Sequence, residues 1–225
     1  MAGMRIAAAT PTRADAAEDW PAVLEFWFPP GLDDADAATH RRAFEWWFQG
    51  GSNAALPRFA PLLDAAKAGR LDHWRAAPSS RLALILVLDQ FPRGLFAGTP
   101  DAYASDPEAL AVAEEGLRNG HHAALARPWE KLFSAMPLAH AEGPDHLRRL
   151  ARVVRIADAL VAEAPERLRT LYRFSAAQAR GHRDVVARFG RYPHRNRVLG
   201  RATTAKEESY LATSDFVHTR RPPEG

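Results

Sequence analysis

The chain has 225 residues, no cysteine and a formal net charge of +3, with 47% hydrophobic and 25% charged residues. This balance is that of an ordinary water-soluble globular protein, and the length predicts one domain. Without cysteine, the chain has no disulfide framework, no thiolate nucleophile and no cysteine-based zinc site. Its longest apolar run, Leu82 to Leu88, is far shorter than the roughly 20 residues of a membrane span, so no membrane partner is expected.

Residues 1–14 are expected to form a flexible N-terminal leader. Only the short run from Ile6 to Thr10 separates Arg5 from Pro11, whereas a secretory signal peptide needs about 7–15 apolar residues. We therefore expect a cytoplasmic protein, with an all-helical domain over residues 15–215 and a flexible tail over residues 216–225.

Apolar periodicity and capping residues predict helices from one end of the chain to the other. In chain order, the predicted helices cover residues 20–28, 35–48, 53–68, 80–90, 105–120, 144–165, 166–189 and a last short segment from 204. Asp106 can cap the fifth helix, Gly120 can end it in the left-handed conformation, and Thr204 begins a capping box with Glu207. The run 82–88 is assigned to a helix because no second strand is present to pair with it.

Short linkers marked by proline and glycine predict one compact all-α domain. Two aromatic clusters, at residues 26–28 and 46–48, end the first two predicted helices. Because such side chains bury large apolar areas, we expect them to form the core. The alternative is an exposed tryptophan patch for a partner.

Positive charge is concentrated in the C-terminal part of the chain. Residues 1–143 contain 13 Lys and Arg against 18 Asp and Glu, a net charge of −5, whereas residues 144–225 contain 17 against 9, a net charge of +8. Arg148, Arg152 and Arg155 share one helical face. Acidic residues interrupt this run and no nucleic-acid motif accompanies it, so we interpret it as a solvated face and expect no nucleic-acid partner.

Asp89 follows the apolar run and shares a helical face with it. A carboxylate that is partly buried near the negative end of a helix is costly unless a donor compensates it. Arg93, just beyond Pro92, is within reach. Two interpretations stay open at this point: a salt bridge that pins the following loop, or part of a ligand site.

Other polar side chains stand in equally conspicuous positions. His182 lies on the apolar stripe of predicted helix 166–189, and His140 and Glu142 are assigned to a loop or helix start between two prolines. Residues 190–201 hold four arginines, a histidine and an asparagine. Guanidinium groups bind carboxylate or phosphate in bidentate fashion, and a basic surface loop tied to acidic residues is the alternative.

Several segments together resemble the bacterial family known as domain of unknown function 924. They include VLEFWF at residues 23–28, LDQFPR at 88–93, DPEAL at 106–110, PLAHAE at 137–142, FGRYPHRN at 189–196 and LGR at 199–201. The resemblance implies an all-α, tetratricopeptide-like superhelix and implies no reaction. Gly94 stands where the family is expected to have Asn, and Ala141 and Gly143 stand where Ser and Asp are usual, which weakens a hydrolytic role for that segment.

The motifs that resemble the family contain the polar residues singled out above. We predict that these residues converge on one concave site for a small anionic ligand, a carboxylate or phosphate, where the N- and C-terminal helices meet. The predicted proton-transfer residues are His140, Glu142 and His194. The predicted ligand-binding residues are Asp89, Gln90, Arg93, His182, Arg195, Asn196 and Arg201.

The histidine spacing is not diagnostic of a metal, so no metal ligand is assigned and the cofactor is left open. Two alternatives to the ligand site also stay open. Tetratricopeptide-like helices often hold a protein or peptide partner on their concave face, which exposed Trp27, Trp46 or Trp47 would favour. In the other alternative, the polar cluster only locks the superhelix closed.

Overall fold

Helices follow one another along the chain without a strand over residues 20–213 and 216–223, which are the residues that this computed structural model describes. The α-helices are α1 (Trp20–Trp27), α2 (Ala37–Phe48), α3 (Ala60–Lys67), α4 (Pro78–Ile85), α5 (Phe91–Leu95), α6 (Asp106–Arg118), α7 (His121–Ala124), α8 (Pro128–His140), α9 (His146–Glu163), α10 (Arg169–Phe189) and α11 (Ala205–Leu211). A π-helical segment, Leu86–Gln90, joins α4 to α5. The 3₁₀ turns are Asn53–Phe59, Asp72–Ala76, Pro100–Tyr103, Glu166–Leu168, Pro193–Arg195 and Val217–Thr219.

The predicted all-α single domain is confirmed, and several helix ends follow the predicted chemistry. Gly120 adopts the left-handed conformation after α6, with φ of 84°. The side chain of Thr204 caps α11 by accepting a hydrogen bond from the backbone N–H of Glu207. The tetratricopeptide-like superhelix stays a prediction.

The helix α8 is missing from the predicted set, so the loop or helix start assigned to His140 is wrong. His140 is the last residue of α8, and Pro137 lies inside that helix. A proline usually marks a boundary because it removes one backbone donor. Here the neighbouring Phe133 and Leu138 are buried in the core, and this packing keeps the helix intact.

The aromatic clusters form the core, as predicted. Trp27 and Trp47 are 2% and 5% exposed, and the indole nitrogen of Trp47 donates to the carbonyl of Trp27 at 2.7 Å. Phe133 packs edge-on against both tryptophan rings. Full burial of each such side chain contributes about 1.5–3 kcal/mol, so this cluster fixes α1 and α2 on α8.

The helices α8, α9 and α10 lie alongside one another with alternating direction. Lys131 near the start of α8 pairs with Glu163 at the end of α9. Leu150 near the start of α9 packs with Val185 near the end of α10. Consequently α8 and α10 run in the same direction, with α9 antiparallel to both.

The segment predicted as a C-terminal tail is described over residues 216–223, and part of it contacts α10. Val217 is 5% exposed, and its carbonyl accepts a hydrogen bond from the side chain of Gln178. A Cβ atom at Gly181 would lie 2.8 Å from Val217, so glycine permits this close approach. The predicted leader lies outside the described residues. Among the described residues, no helix combines the length and apolar character needed to cross a bilayer.

Candidate functional site

A cavity of about 490 Å³ lies between α8, α9, α10 and the aromatic ends of α1 and α2. Its volume is in the range of pockets that hold small organic molecules. The polar side chains of the lining include Gln90, Arg93, Tyr103, His140, His182, Tyr192, His194, Arg195 and His218. Most of the remaining lining is apolar, from residues such as Phe48, Leu132, Met136, Val153, Ile156 and Phe174.

Asp89 lies directly behind the cavity wall and orients His140. Its side chain is completely buried and accepts hydrogen bonds from Nδ1 of His140 at 2.9 and 3.0 Å. The side-chain amide of Gln90 donates to the same carboxylate, and Arg93 lies 3.4 Å from it. Burial raises the pKa of Asp89, but the positive charge of Arg93 and the contacts with His140 outweigh it and hold the pKa at about 2.

His140 is therefore fixed in one tautomer. Burial lowers the pKa of His140, the charge of Arg93 lowers it further, and these effects exceed the opposite influence of Asp89. The neutral ring has its proton on Nδ1, because the ionised carboxylate of Asp89 can only accept. Its other nitrogen, Nε2, keeps a lone pair that can take a proton, as a general base requires.

Asp89 lies in the π-helical segment Leu86–Gln90, whose backbone carbonyls have unusual hydrogen-bond partners. The backbone N–H of Phe91 donates to the carbonyl of Leu86, five residues earlier, and Pro92 has no N–H to offer Leu88. The hydroxyl of Ser105 donates to the carbonyl of Leu88 instead, at 2.7 Å. Single π turns are frequent at functional sites. The apolar periodicity of the sequence gives no sign of this one.

Arg93 and Arg195 share one carboxylate, that of Asp106. Arg93 donates to Asp106 at 2.7 Å, whereas Arg195 lies at 3.4 Å from it and donates to the backbone carbonyl of His140 at 2.9 Å. The guanidinium of Arg195 also lies over the ring of Tyr103, with 4.4 Å to the ring centroid. Its Nε–H is buried and has no hydrogen-bond partner among the residues that the structure describes.

The two arginines differ in how well their charge is compensated. Burial disfavours the charge of Arg93, but Asp89 and Asp106 outweigh burial and raise its pKa. Burial and the nearby charge of Arg93 lower the pKa of Arg195, and Asp106 does not offset them. Arg195 is thus a buried cation with too little negative charge around it.

Further histidines surround Tyr192 at the same end of the cavity. Burial, together with neighbouring positive groups, lowers the pKa of His182 to about 3 and that of His194 to about 2. The rings of His194 and His218 lie with centroids 4.0 Å apart. Over residues 20–213 and 216–223, no three His, Asp or Glu side chains form a group that could hold a metal ion.

The structure brings together most of the residues predicted for the site. Those that line the cavity are Gln90, Arg93, His140, His182, His194 and Arg195. Asp89 contacts His140 from behind, and the roles of all seven stay predictions.

Glu142, Asn196 and Arg201 were expected in the site but do not line the cavity. Glu142 accepts hydrogen bonds from Arg201 and, at 2.7 Å, from the backbone N–H of Tyr192. Asn196 is 1% exposed and its amide lies 3.4 Å from the hydroxyl of Thr203. These contacts hold the loop at 190–201 against the end of α8, so the proton-transfer role predicted for Glu142 does not fit its position.

Tyr103, Asp106, Tyr192 and His218 belong to the site and were not predicted. Asp106 was assigned to the cap of α6, but Ser105 holds the cap position and Asp106 pairs with arginines. Asp106 could have been identified from the sequence, because Asp106 lies in a segment that resembles the family.

Gly94 also lines the cavity, at a position where asparagine was expected. A Cβ atom there would lie 2.4 Å from Leu56 and 2.6 Å from the side-chain oxygen of Asn53. The side chain of Asn53 already occupies this part of the cavity wall. A larger residue here would therefore have to displace the ends of the Leu56 and Asn53 side chains.

The fold and the cavity define a single-domain all-helical protein with a mixed polar and apolar pocket. The chain belongs to the DUF924 family of bacterial proteins of unknown function, whose model matches residues 23–215. The resemblance inferred from its motifs is confirmed. A solved structure of a protein of unknown function from Agrobacterium tumefaciens is 34% identical, with a TM-score of 0.66, and the match covers 89% of this chain and 100% of that one. A search of curated proteins gives no significant match.

Proposed function

We propose that the cavity binds a small organic anion through Arg195 and that His140 acts as an acid–base group on the bound molecule. The observation that carries this proposal is the position of Arg195, which lines a 490 Å³ cavity and shares the carboxylate of Asp106 with Arg93. A buried charge with too little opposite charge around it is costly. An anionic ligand in the cavity would supply the missing negative charge.

The acid–base part of the proposal rests on the contact between Asp89 and His140. A carboxylate that holds Nδ1–H of a histidine fixes the ring and leaves Nε2 to exchange a proton with a ligand. His140 is the catalytic residue in this proposal, because it lines the cavity, and Asp89 is a positioning residue behind it.

A thermal-shift screen with small carboxylates and phosphates tests ligand binding. A ligand at 100 times its Kd stabilises the folded state by about 2.7 kcal/mol, which raises Tm by roughly 5–10 °C for a chain of this size. We expect this shift for the wild type and for Arg197→Ala, a matched control at an exposed arginine of the same loop. We expect Arg195→Ala to lose it. An equal shift in the wild type and in Arg195→Ala would contradict the proposal.

The same screen also tests the alternative, a protein- or peptide-interaction module. Trp27 and Trp47 are buried in the core, so they do not offer the exposed aromatic groove that this alternative requires. An unchanged Tm with every anion, together with a higher Tm in the presence of peptides, would favour the interaction module over the ligand site.

A further inference from the structure

The lining of the cavity changes from apolar to polar along α8 and α10. On α8 the lining residues are Leu132, Ala135, Met136, Ala139 and His140, which share one helical face. On α10 they are Phe174, Ser175, Gln178, Ala179 and His182. The α8 lining is apolar from Leu132 to Ala139, whereas the α10 lining begins with Phe174 and includes the polar Ser175 and Gln178. Because α8 and α10 run in the same direction, both carry a histidine at the same end of the cavity.

The same helices give the length of the apolar part. His140 lies eight residues after Leu132, and His182 lies eight residues after Phe174. Eight residues of α-helix rise about 12 Å, so both walls give the same distance between the two ends of the cavity.

Apolar side chains that line this part are only partly buried. Leu132, Val153, Ile156 and Phe174 have intermediate exposure, and Phe48 is 42% exposed. By contrast, Phe133, which belongs to the core beside them, is 0% exposed. Apolar surface around a cavity is stabilised when an apolar ligand displaces water from it.

The charges around the polar end define the charge of the ligand. Arg93 contacts two carboxylates, those of Asp89 and Asp106, whereas Arg195 lies 3.4 Å from the carboxylate of Asp106 and shares it with Arg93. One further negative charge, that of a carboxylate, would pair with Arg195. A dianionic phosphate would leave an excess of buried negative charge.

We propose that the ligand is a monocarboxylic acid with an apolar body of about 12 Å, the helix rise between the two ends of the cavity. Its carboxylate lies at Arg195 and its apolar body lies between α8, α9 and α10. This inference rests on the proposed function and adds the apolar half of the ligand to it.

Calorimetric titration of the full chain with acetate, butyrate, hexanoate and octanoate tests the apolar body. Each added methylene that is buried is worth about 0.8 kcal/mol, so we expect the affinity to rise about fourfold per methylene. Octanol, which has the same body without the charge, is expected to bind about tenfold more weakly than octanoate, or worse.

The outcomes separate the two proposals. Equal affinity for all four acids, or tighter binding of inorganic phosphate than of octanoate, would overturn the apolar body and leave the anion site intact. Equal affinity for octanol and octanoate would overturn the carboxylate contact, and with it the proposed function. No binding by any of these acids or by phosphate would overturn both.

Variants that narrow the apolar end give a second test. Ile156→Phe adds a ring to the cavity wall on α9, and Leu132→Phe narrows the same end from α8, in case the first variant does not fold. We expect octanoate affinity to fall about tenfold or more while acetate affinity is unchanged. Leu147→Phe is the matched control, because Leu147 is also on α9 and is 45% exposed. Unchanged octanoate affinity in the narrowed variants would overturn the proposal.

Discussion

Two buried arginines, Arg81 on α4 and Arg195 after α10, have opposite surroundings. Arg81 is 3% exposed and Arg195 is 5% exposed. Every nitrogen of the Arg81 guanidinium donates: Nε to His121 at 3.1 Å, one terminal nitrogen to the carbonyl of Val112 at 3.0 Å, and the other to Glu115 at 3.0 Å. Within the described part of the chain, Arg195 leaves its Nε–H without a partner.

The two arginines also differ in the volume of free space beside them. The pocket at Arg81 holds about 10 Å³, which is at the lower limit for one water molecule, whereas the cavity at Arg195 holds about 490 Å³. A completely paired buried cation in a filled space is a structural contact. A partly paired one beside a large cavity is suited to a ligand, so burial alone does not distinguish the two roles.

The largest expected effect is the stability loss on removing Arg81. Arg81→Ala leaves the carbonyls of Val112 and Arg75 without their donor and breaks an ion pair with the partly exposed Glu115, and we expect these losses together to cost about 3–5 kcal/mol. Arg195→Ala removes a cation that is poorly compensated, so we expect a loss of about 1–2 kcal/mol. Urea unfolding of both variants and the wild type measures the difference.

A loss of about 3–5 kcal/mol for Arg195→Ala as well would remove the contrast between the two arginines. That result would favour the interpretation in which the polar cluster only locks the helices together. The m-values must agree among the three proteins, since a change in m would indicate a change in the unfolded or folded ensemble rather than in stability alone.

The next effect is a dependence of stability on pH at the cavity. His182 has a pKa of about 3 in the folded protein against 6.5 for an unperturbed histidine. The unfolded chain therefore takes up this proton first, so the stability is complete above pH 6.5 and is lost as the pH falls from 6.5 towards 3. At pH 5, His182 therefore lowers the free energy of unfolding by about 2 kcal/mol relative to its value above pH 6.5. The variant His182→Gln should not lose this amount.

Urea unfolding at pH 7 and at pH 5 measures this prediction. His73→Gln is the matched control, because His73 is exposed and lies outside the cavity lining. We expect the wild type and His73→Gln to lose the same free energy of unfolding between the two pH values. If His182→Gln lost as much as they do, the neutral histidine of the polar end would not be a source of acid sensitivity.

The helices and the aromatic core followed from the sequence, because periodicity and capping are local properties. The caps at Gly120 and Thr204 and the burial of Trp27 are examples. The pairing of Asp89 with Arg93 could be predicted for the same reason, because the two residues are four apart in the sequence.

The parts of the site that could not be predicted depend on long-range contacts. The contact between Asp89 and His140 joins residues 51 positions apart, and that between Arg195 and Asp106 joins residues 89 apart. Glu142 was placed in the site because it is polar and near His140 in the sequence. Only the fold shows that Arg201 and the backbone of Tyr192 use its carboxylate.

The smallest expected effect concerns the π-helical segment that presents Asp89 to His140. Ser105→Ala removes the only side-chain donor recorded for the carbonyl of Leu88 within the described residues, and a buried carbonyl left without a partner costs about 1 kcal/mol. Because the loss is local, we expect the amide hydrogen exchange of residues 86–91 to become faster than in the wild type. The exchange in α4 and in the rest of α5 should change less. Ser209→Ala is the control, since its hydroxyl bonds to Ala205 on the exposed helix α11. Faster exchange throughout the core in Ser105→Ala would show that this hydroxyl supports the whole domain, and the π turn would then not be a separately held element of the cavity wall.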